Sequence, residues 1–191
     1  RLGLAENKCR EFLKKNPTHT YAMSLLSEIA NRMGYFDDAE FLLEKAVSFK
    51  PNDGELRMKY ASILRKKQKF AKTMEQVNIL CEKFPDNLNY QAHKASEIMQ
   101  NGDHEEAIIL LEDIIKKNPY NFSTLTSKGH AEKTLGRSDE AIQSYQAAYK
   151  IKPDHGEAYF SLANLKTYSF TDSELNTMRD QVKRVDLSLR D

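Results

Sequence analysis

The sequence predicts an all-α fold, a right-handed superhelical solenoid of stacked antiparallel helix hairpins with a helix capping its C-terminal end. Three observations predict this fold. The five prolines lie 34 residues apart, at Pro17, Pro51, Pro85, Pro119 and Pro153. Small residues recur at two positions with the same spacing, and the apolar residues around them keep a helical period. A fixed period of about 20 to 50 residues is typical of stacked supersecondary units.

The clearest unit spans residues 122–155, where two helical patterns are joined by a turn. The first pattern ends at Gly136, because glycine readily takes the positive φ that terminates a helix. Ser138 is then expected to cap the second helix with its hydroxyl group, and the two acidic residues after it favour the positive end of the helix dipole. Pro153 ends the second helix, because it lacks the amide hydrogen that another turn needs. We call the first helix of each unit helix A and the second helix B.

Two columns of small residues run through the units at 34-residue offsets. The column in helix A carries Ser27, Ala61, Ala95, Gly129 and Ala163. The column in helix B carries Ala5, Ala39, Thr73, Ala107 and Ala141. Small side chains at a helix crossing let the two axes approach to the short end of roughly 8 to 10 Å.

These columns, in phase with the prolines, resemble the tetratricopeptide repeat family over about residues 1–168. The resemblance implies a half repeat 1–19, repeats 20–53, 54–87, 88–121 and 122–155, and a last helix A at 156–168. Residues 169–191 are expected to form a capping or linker helix that begins with a capping box at Thr171 and Glu174 and runs to about Val185. Because the chain opens on a helix B, we expect a fragment whose N-terminal end exposes an apolar face, a candidate surface for self-association.

The second repeat departs most from the pattern, since Gln68 replaces the turn glycine and Thr73 the alanine. We expect its local stability to be the lowest. It carries 8 basic and 4 acidic residues, whereas the repeats on either side carry 3 basic and 6 acidic residues each. We interpret this as charge complementarity between neighbouring repeats; the alternative is a basic patch that binds a ligand.

Two lysines and two cysteines occupy positions that are usually apolar. Lys94 and Lys128 replace a leucine of the family pattern, and we expect their aliphatic stems to cover apolar surface; the alternative is anion binding. Cys9 and Cys81 lie on apolar faces of different helices B, which predicts buried free thiols without a disulfide.

The sequence predicts no catalytic, cofactor or metal site. The 5 histidines and 2 cysteines lack metal-ligand spacing, and no phosphate-binding loop, dinucleotide fingerprint or nucleophile elbow is present. A net charge of +1 argues against nucleic acid as the partner, and no run approaches the roughly 20 apolar residues of a membrane span. We therefore expect a soluble cytoplasmic protein that is not an enzyme over this stretch.

The resemblance implies a protein or peptide partner bound along the concave groove formed by the helices A. A chaperone-tail clamp is not expected, because Ser24 and Glu28 stand where its lysine and asparagine belong. An extended acidic peptide is the candidate ligand. The candidate groove residues are Tyr21, Arg32, Lys59, Arg65, Lys66, His93, His130, Lys133, Phe160 and Asn164.

A second resemblance concerns residues 161–182, which look like the segment that joins tetratricopeptide repeats to a sulfotransferase domain in bacterial fusion proteins. It implies an alternative function, the accessory N-terminal region of a sulfotransferase whose catalytic domain lies beyond Asp191. Such enzymes use 3′-phosphoadenosine 5′-phosphosulfate, held by a loop between a strand and a helix. The sequence contains no such loop, so no catalytic residue is carried over.

Overall fold

The computed structural model describes residues 2–183, and within that range it contains eleven α-helices and no strand. From α2 to α9, helices of 13 residues alternate with helices of 14, as the 34-residue period requires. The helices A are α2 (Thr20–Arg32), α4 (Gly54–Lys66), α6 (Leu88–Gln100), α8 (Phe122–Thr134) and α10 (Gly156–Ala163). The other helices are α1 (Leu2–Lys15), α3 (Phe36–Phe49), α5 (Phe70–Lys83), α7 (His104–Lys117), α9 (Ser138–Ile151) and α11 (Asp172–Val182).

The chain divides into two compact units, residues 1–90 and 91–191, and the division falls within α6. In unit 1, each of the helices α1 to α4 packs against the next one along the chain. Its core is a cluster of apolar residues from α2, α3 and α4, including Met23, Leu43, Ala46, Leu56 and Leu64. In unit 2, α8 packs between α7 and α9, and α10 follows on α9. Its core includes Leu125, Ala141, Tyr145, Ala148 and Leu162.

The turns between helix A and helix B require a left-handed backbone. Gly34, Gly102 and Gly136 supply it with φ values of 82°, 95° and 76°. Gln68 takes the same place in the second repeat with a φ of 57°. A residue with a Cβ atom pays about 1–2 kcal/mol for this conformation, a cost that glycine avoids.

Three of the helices A begin with a side-chain cap, whereas α3, α5, α7 and α9 do not. The side chains of His19, Asp53 and Asn121 accept a hydrogen bond from a first-turn amide of α2, α4 and α8, each at 3.1 Å. The predicted Ser138 cap is wrong. The helix begins at Ser138 itself, and the N-cap residue is Arg137, which makes no side-chain cap bond because a guanidinium has no acceptor.

The last helix A is shorter than predicted. The sequence predicts a helix over 156–168, but α10 ends at Ala163. The Leu165 amide donates to the Leu162 carbonyl at 2.9 Å and the Tyr168 amide donates to the Leu165 carbonyl at 2.8 Å, which tightens the chain into a turn. The turn lets Tyr168 and Phe170 pack against the core of unit 2, and this burial replaces the last helical turn.

The predicted capping box at the start of α11 is confirmed, with Thr171 and Glu174 bonding to each other's backbone. Glu174 also accepts hydrogen bonds from the hydroxyl groups of Tyr149, at 2.6 Å, and Tyr168, at 2.5 Å. Burial favours the neutral acid, but these bonds outweigh it and lower the pKa of Glu174 to about 2. Val185, the predicted end of this helix, lies outside the described residues.

The helix α11 begins 34 residues after α9 but does not repeat its packing. Arg179 occupies the position of the buried Tyr145, and it is exposed. Val182, which corresponds to the fully buried Ala148, is 77% exposed. A guanidinium at the core position would have to be desolvated, so α11 does not pack as a standard helix B.

Cys9 and Cys81 form no disulfide within the described residues, and both are half-buried rather than buried as predicted. Cys9 lies on α1, which has no preceding helix A among the described residues to cover it. Within residues 2–183, no helix is both long enough and apolar enough to cross a membrane.

The small column has a specific role at Gly129. A Cβ atom on Gly129 would lie 2.6 Å from Cε1 of Tyr145, whose side chain is fully buried. The equivalent positions of the preceding repeat hold Ala95 and Leu111, which are respectively larger than glycine and smaller than tyrosine, and both are buried. Gly129 therefore makes the room that the Tyr145 ring fills.

We predict that Gly129→Ala lowers the free energy of unfolding by about 1–2 kcal/mol. Overpacking against the Tyr145 ring costs about 1–3 kcal/mol, and the better helix propensity of alanine recovers only part of that cost. The midpoint of urea unfolding measures the change.

The control is the same substitution in a Tyr145→Leu background, which reproduces the Ala95 and Leu111 pair. There Gly129→Ala is expected to be neutral or stabilising, because the ring is gone. An equal loss in both backgrounds would show that the ring contact is not the cause.

Candidate functional site

The candidate groove residues lie on helices A or directly after one, and they fall into two sets, one in each unit. Unit 1 holds Tyr21, Arg32, Lys59, Arg65 and Lys66. Unit 2 holds His93, His130, Lys133, Phe160 and Asn164.

In unit 1, Lys59 of α4 is tied to α2 and to its own helix. Its Nζ atom lies 2.8 Å from Oε1 of Glu28 and 3.1 Å from Oε1 of Glu55. It also donates to Oγ of Ser24 at 3.1 Å. The hydrogen bond that Lys59 donates to Glu28 is the main reason that the pKa of Lys59 is raised. Lys59 therefore links two neighbouring helices A instead of offering a free cation.

Lys66 and Asn31 flank a small pocket between α2 and α4. Lys66 Nζ donates to Oδ1 of Asn31 at 2.8 Å, and it lies 5.9 Å from the ring centre of Phe36. The pocket has a volume of about 110 Å³ and is lined by Ser27, Glu28, Asn31, Leu43, Lys59, Ser62, Ile63 and Lys66.

The basic second repeat is paired with acidic residues of the first. Lys67 forms ion pairs with Asp37 and Glu40, and Lys69 Nζ lies 2.6 Å from Oε1 of Glu40. Burial would raise the pKa of Glu40, but the hydrogen bonds from the two lysines lower it. The left-handed turn at Gln68 separates the two lysines by one residue and lets both reach Glu40. The predicted complementarity between neighbouring repeats is confirmed here.

In unit 2, His130 is oriented by a partner at each ring nitrogen. Its Nδ1 atom lies 2.9 Å from the hydroxyl oxygen of Tyr145, and its Nε2 atom lies 3.3 Å from Oε1 of Glu157. Burial raises the pKa of Tyr145 to about 12, so the hydroxyl group stays protonated at neutral pH. His130 of α8 thus contacts both α9 and α10 from a half-exposed position.

Two candidates are exposed aromatic side chains. Tyr21 is 73% exposed and Phe160 is 70% exposed. Ser24 and Thr126 stand at the positions equivalent to Phe160, and they are buried because Lys59 and His155 contact them. The remaining candidates Arg32, His93, Lys133 and Asn164 are exposed, whereas Arg65 is half-buried.

Lys128 does not match either interpretation of its position. Its Nζ atom lies 3.0 Å from Oε1 of Glu112 and 3.4 Å from Oε1 of Glu132. Glu132 is 4% exposed and also accepts a hydrogen bond from Ser144 at 2.6 Å. Burial alone would lower the pKa of Lys128, but the two carboxylates raise it. Lys128 is part of a charged network that joins α7, α8 and α9.

The sequence analysis did not predict the partners that hold three of the candidates in place, which are Glu28 for Lys59, Asn31 for Lys66 and Glu157 for His130. A signal for two of them exists in the repeat arithmetic, because Lys66 and Asn31 lie 35 residues apart and Lys59 and Glu28 lie 31 apart. Complementary polar residues that lie about one repeat length apart in the sequence predict contacts between neighbouring helices A. Among the described residues, no group of three or more histidine, cysteine or acidic side chains is placed to hold a metal ion.

The family model for the tetratricopeptide repeat matches residues 21–53 and 122–155. A tetratricopeptide repeat-containing protein of Caenorhabditis elegans, trd-1, is 27% identical over 134 residues, which is 69% of this chain and 16% of the relative. A probable UDP-N-acetylglucosamine–peptide N-acetylglucosaminyltransferase of Arabidopsis thaliana, SPINDLY, is 31% identical over 122 residues, 63% of this chain and 13% of the relative. The chain thus spans less than one fifth of either relative.

Solved structures give the same fold. MamA superposes with a TM-score of 0.68 at 18% identity, over 78% of this chain and 86% of MamA. YrrB, described as a tetratricopeptide repeat protein with an unusual peptide-binding site, superposes with a TM-score of 0.61 at 12% identity, over 91% of both chains. The predicted all-α fold class is confirmed, and two of the repeats match the tetratricopeptide family model. None of these matches points to a sulfotransferase.

We predict that Lys128→Met lowers the free energy of unfolding by about 2–3 kcal/mol. The substitution leaves the buried Glu132 carboxylate without its cation, and breaking a fully buried pair costs about 3–5 kcal/mol. We expect less than this because Lys128 is partly exposed. Urea unfolding monitored by circular dichroism measures the loss.

The matched variant is Lys128→Met with Glu132→Leu, which replaces the pair by two apolar side chains. Its stability is expected to lie close to that of the parent protein, because no buried charge remains unpaired. A double variant as unstable as the single one would show that the network is not what the lysine supports.

Proposed function

We propose that the chain is a non-catalytic, cytoplasmic interaction scaffold that binds a peptide or protein along the helix A faces. The observation that carries the proposal is that side chains on these faces are fixed by hydrogen bonds. Lys59, Lys66 and His130 are each fixed by hydrogen bonds to residues of a neighbouring helix. A preordered polar surface loses less conformational entropy when a ligand binds, and this favours affinity.

The exposed aromatic residues support the same proposal. Tyr21 and Phe160 add apolar contact area at the edges of the two helix A faces. Aromatic anchors with polar surroundings carry much of the binding energy in protein interfaces. The peptide-binding site named for YrrB, which shares this fold, is a further reason to place the ligand on a repeat surface.

The experiment is a peptide array probed with the intact chain, followed by affinity measurements on the strongest peptide. We expect Tyr21→Ser or Phe160→Ser to weaken binding by about tenfold, because each removes an exposed aromatic anchor without disturbing the core.

The control variants are Tyr120→Ser and Ile109→Ser, at side chains that are 78% and 65% exposed and lie off the helices A. They are expected to leave affinity unchanged. If Tyr21→Ser and Phe160→Ser still bind the peptide but Tyr120→Ser or Ile109→Ser does not, the ligand lies elsewhere and the proposal is contradicted.

We extend the proposal to self-association through α1. Leu4 is 65% exposed at a position that holds Asp38, Lys72, Glu106 or Glu140 in the repeats. Phe12 is 44% exposed at the position of the fully buried Ala46. Sedimentation equilibrium tests this surface: Leu4→Asp should shift any dimer to monomer, and an unchanged mass in a protein that self-associates would refute it.

The alternative candidate function is the accessory region of a sulfotransferase, supported by the resemblance of residues 161–182. The test is the reading frame beyond Asp191. A strand, a phosphate-binding loop and a helix in that order would support the candidate, and a frame without them would remove it.

A further inference from the structure

The ammonium group of Lys66 lines the pocket between α2 and α4 and is not fully hydrogen-bonded within the protein. Lys66 Nζ has three N–H groups. Within residues 2–183, the hydrogen-bond acceptor that it contacts is Oδ1 of Asn31, at 2.8 Å. Its contact with the Phe36 ring, 5.9 Å from the centroid, is a cation–π contact and uses no acceptor. Two N–H groups of Lys66 are therefore available to a ligand.

The neighbouring lysine of the same pocket is different. All three N–H groups of Lys59 have acceptors nearby, which are Oγ of Ser24 at 3.1 Å, Oε1 of Glu28 at 2.8 Å and Oε1 of Glu55 at 3.1 Å. Lys59 and its two carboxylates carry a net charge of −1, so the positive charge that attracts a ligand at this pocket is on Lys66.

Size and lining limit what the pocket accepts. Its volume of about 110 Å³ is smaller than the roughly 150 Å³ cavity that holds a benzene molecule. It fits a planar group of three or four heavy atoms on a short stem. Leu43 and Ile63 are its apolar lining residues. Its polar lining comprises Asn31, Lys66, Ser27, Ser62 and the ion pair of Lys59 with Glu28.

We propose that this pocket binds one carboxylate of an acidic peptide through Lys66 and Asn31. Because Oδ1 of Asn31 accepts the bond from Lys66, the amide group of Asn31 is free to donate to the same carboxylate. Charge-assisted bonds of this kind are shorter and about twice as strong as neutral ones. The inference rests on the proposed function and adds the chemistry of the ligand and its anchor point.

The probe is acetyl-hexaglutamate amide, titrated at low salt into the ¹⁵N-labelled full chain. We expect saturable shifts of the Asn31 side-chain amide and the Lys66 backbone amide, and none with acetyl-hexaglutamine amide. Lys66→Met is expected to weaken binding by about tenfold, because one charged hydrogen-bonding group is lost.

Two further variants separate the anchor from general charge. Lys72→Met removes the same charge from an exposed position on α5 and is expected to change affinity by less than about twofold. Asn31→Asp places a carboxylate against Lys66 and is expected to abolish binding, because it occupies the ligand's donors and repels the ligand.

The inference is overturned if hexaglutamine binds equally well, or if Lys66→Met and Lys72→Met weaken binding to the same extent. If hexaglutamate fails to bind but array peptides still depend on Tyr21, the proposed function stands and the carboxylate pocket is refuted. If no peptide binds the folded chain at all, both fail. Urea unfolding of Lys66→Met establishes that the variant is folded.

Discussion

The structure depends on close contact between a small residue of helix A and a core residue of helix B. At Gly129 and Tyr145 this contact is tightest, because an added Cβ atom would lie 2.6 Å from the ring. The equivalent positions of the second repeat hold Ala61, which is larger than glycine, and Val77, which is smaller than tyrosine. Close packing at a helix crossing depends on the combined size of the two residues that meet there, so a larger residue on one helix is tolerated best when its partner becomes smaller.

Much of the fold follows from local chemistry that the sequence states directly. Evenly spaced prolines and small columns place α1 to α9, since helix ends and helix crossings are decided within one repeat. The end of α10 could not be predicted in this way. Its last turn competes with the burial of Tyr168 and Phe170, which come after it in the chain, and with the bonds to Glu174. Such a competition is decided by packing and has no local signature.

The candidate site was predicted less completely than the fold. Helical projection brings Lys59, Lys66 and His130 to the helix A faces, but it cannot say which of these side chains already have hydrogen-bond partners. That depends on side chains one repeat away, such as Glu28 for Lys59 and Asn31 for Lys66. Lys128 illustrates the limit: its position predicted a stem that covers apolar surface, whereas its contacts with Glu112 and Glu132 make it part of a partly buried charged network.

The left-handed Gln68 has a consequence for how this sequence can drift. At the three glycine turns, almost any replacement introduces a Cβ atom into a left-handed backbone and carries a conformational penalty. Selection on backbone conformation can therefore only preserve glycine there. At residue 68 that penalty is already present, and a change to glycine or asparagine would relieve part of it. Conversely, a β-branched residue would fit worse than glutamine. Among the hairpins of residues 2–183, this is the one where a substitution at the turn can relieve backbone strain.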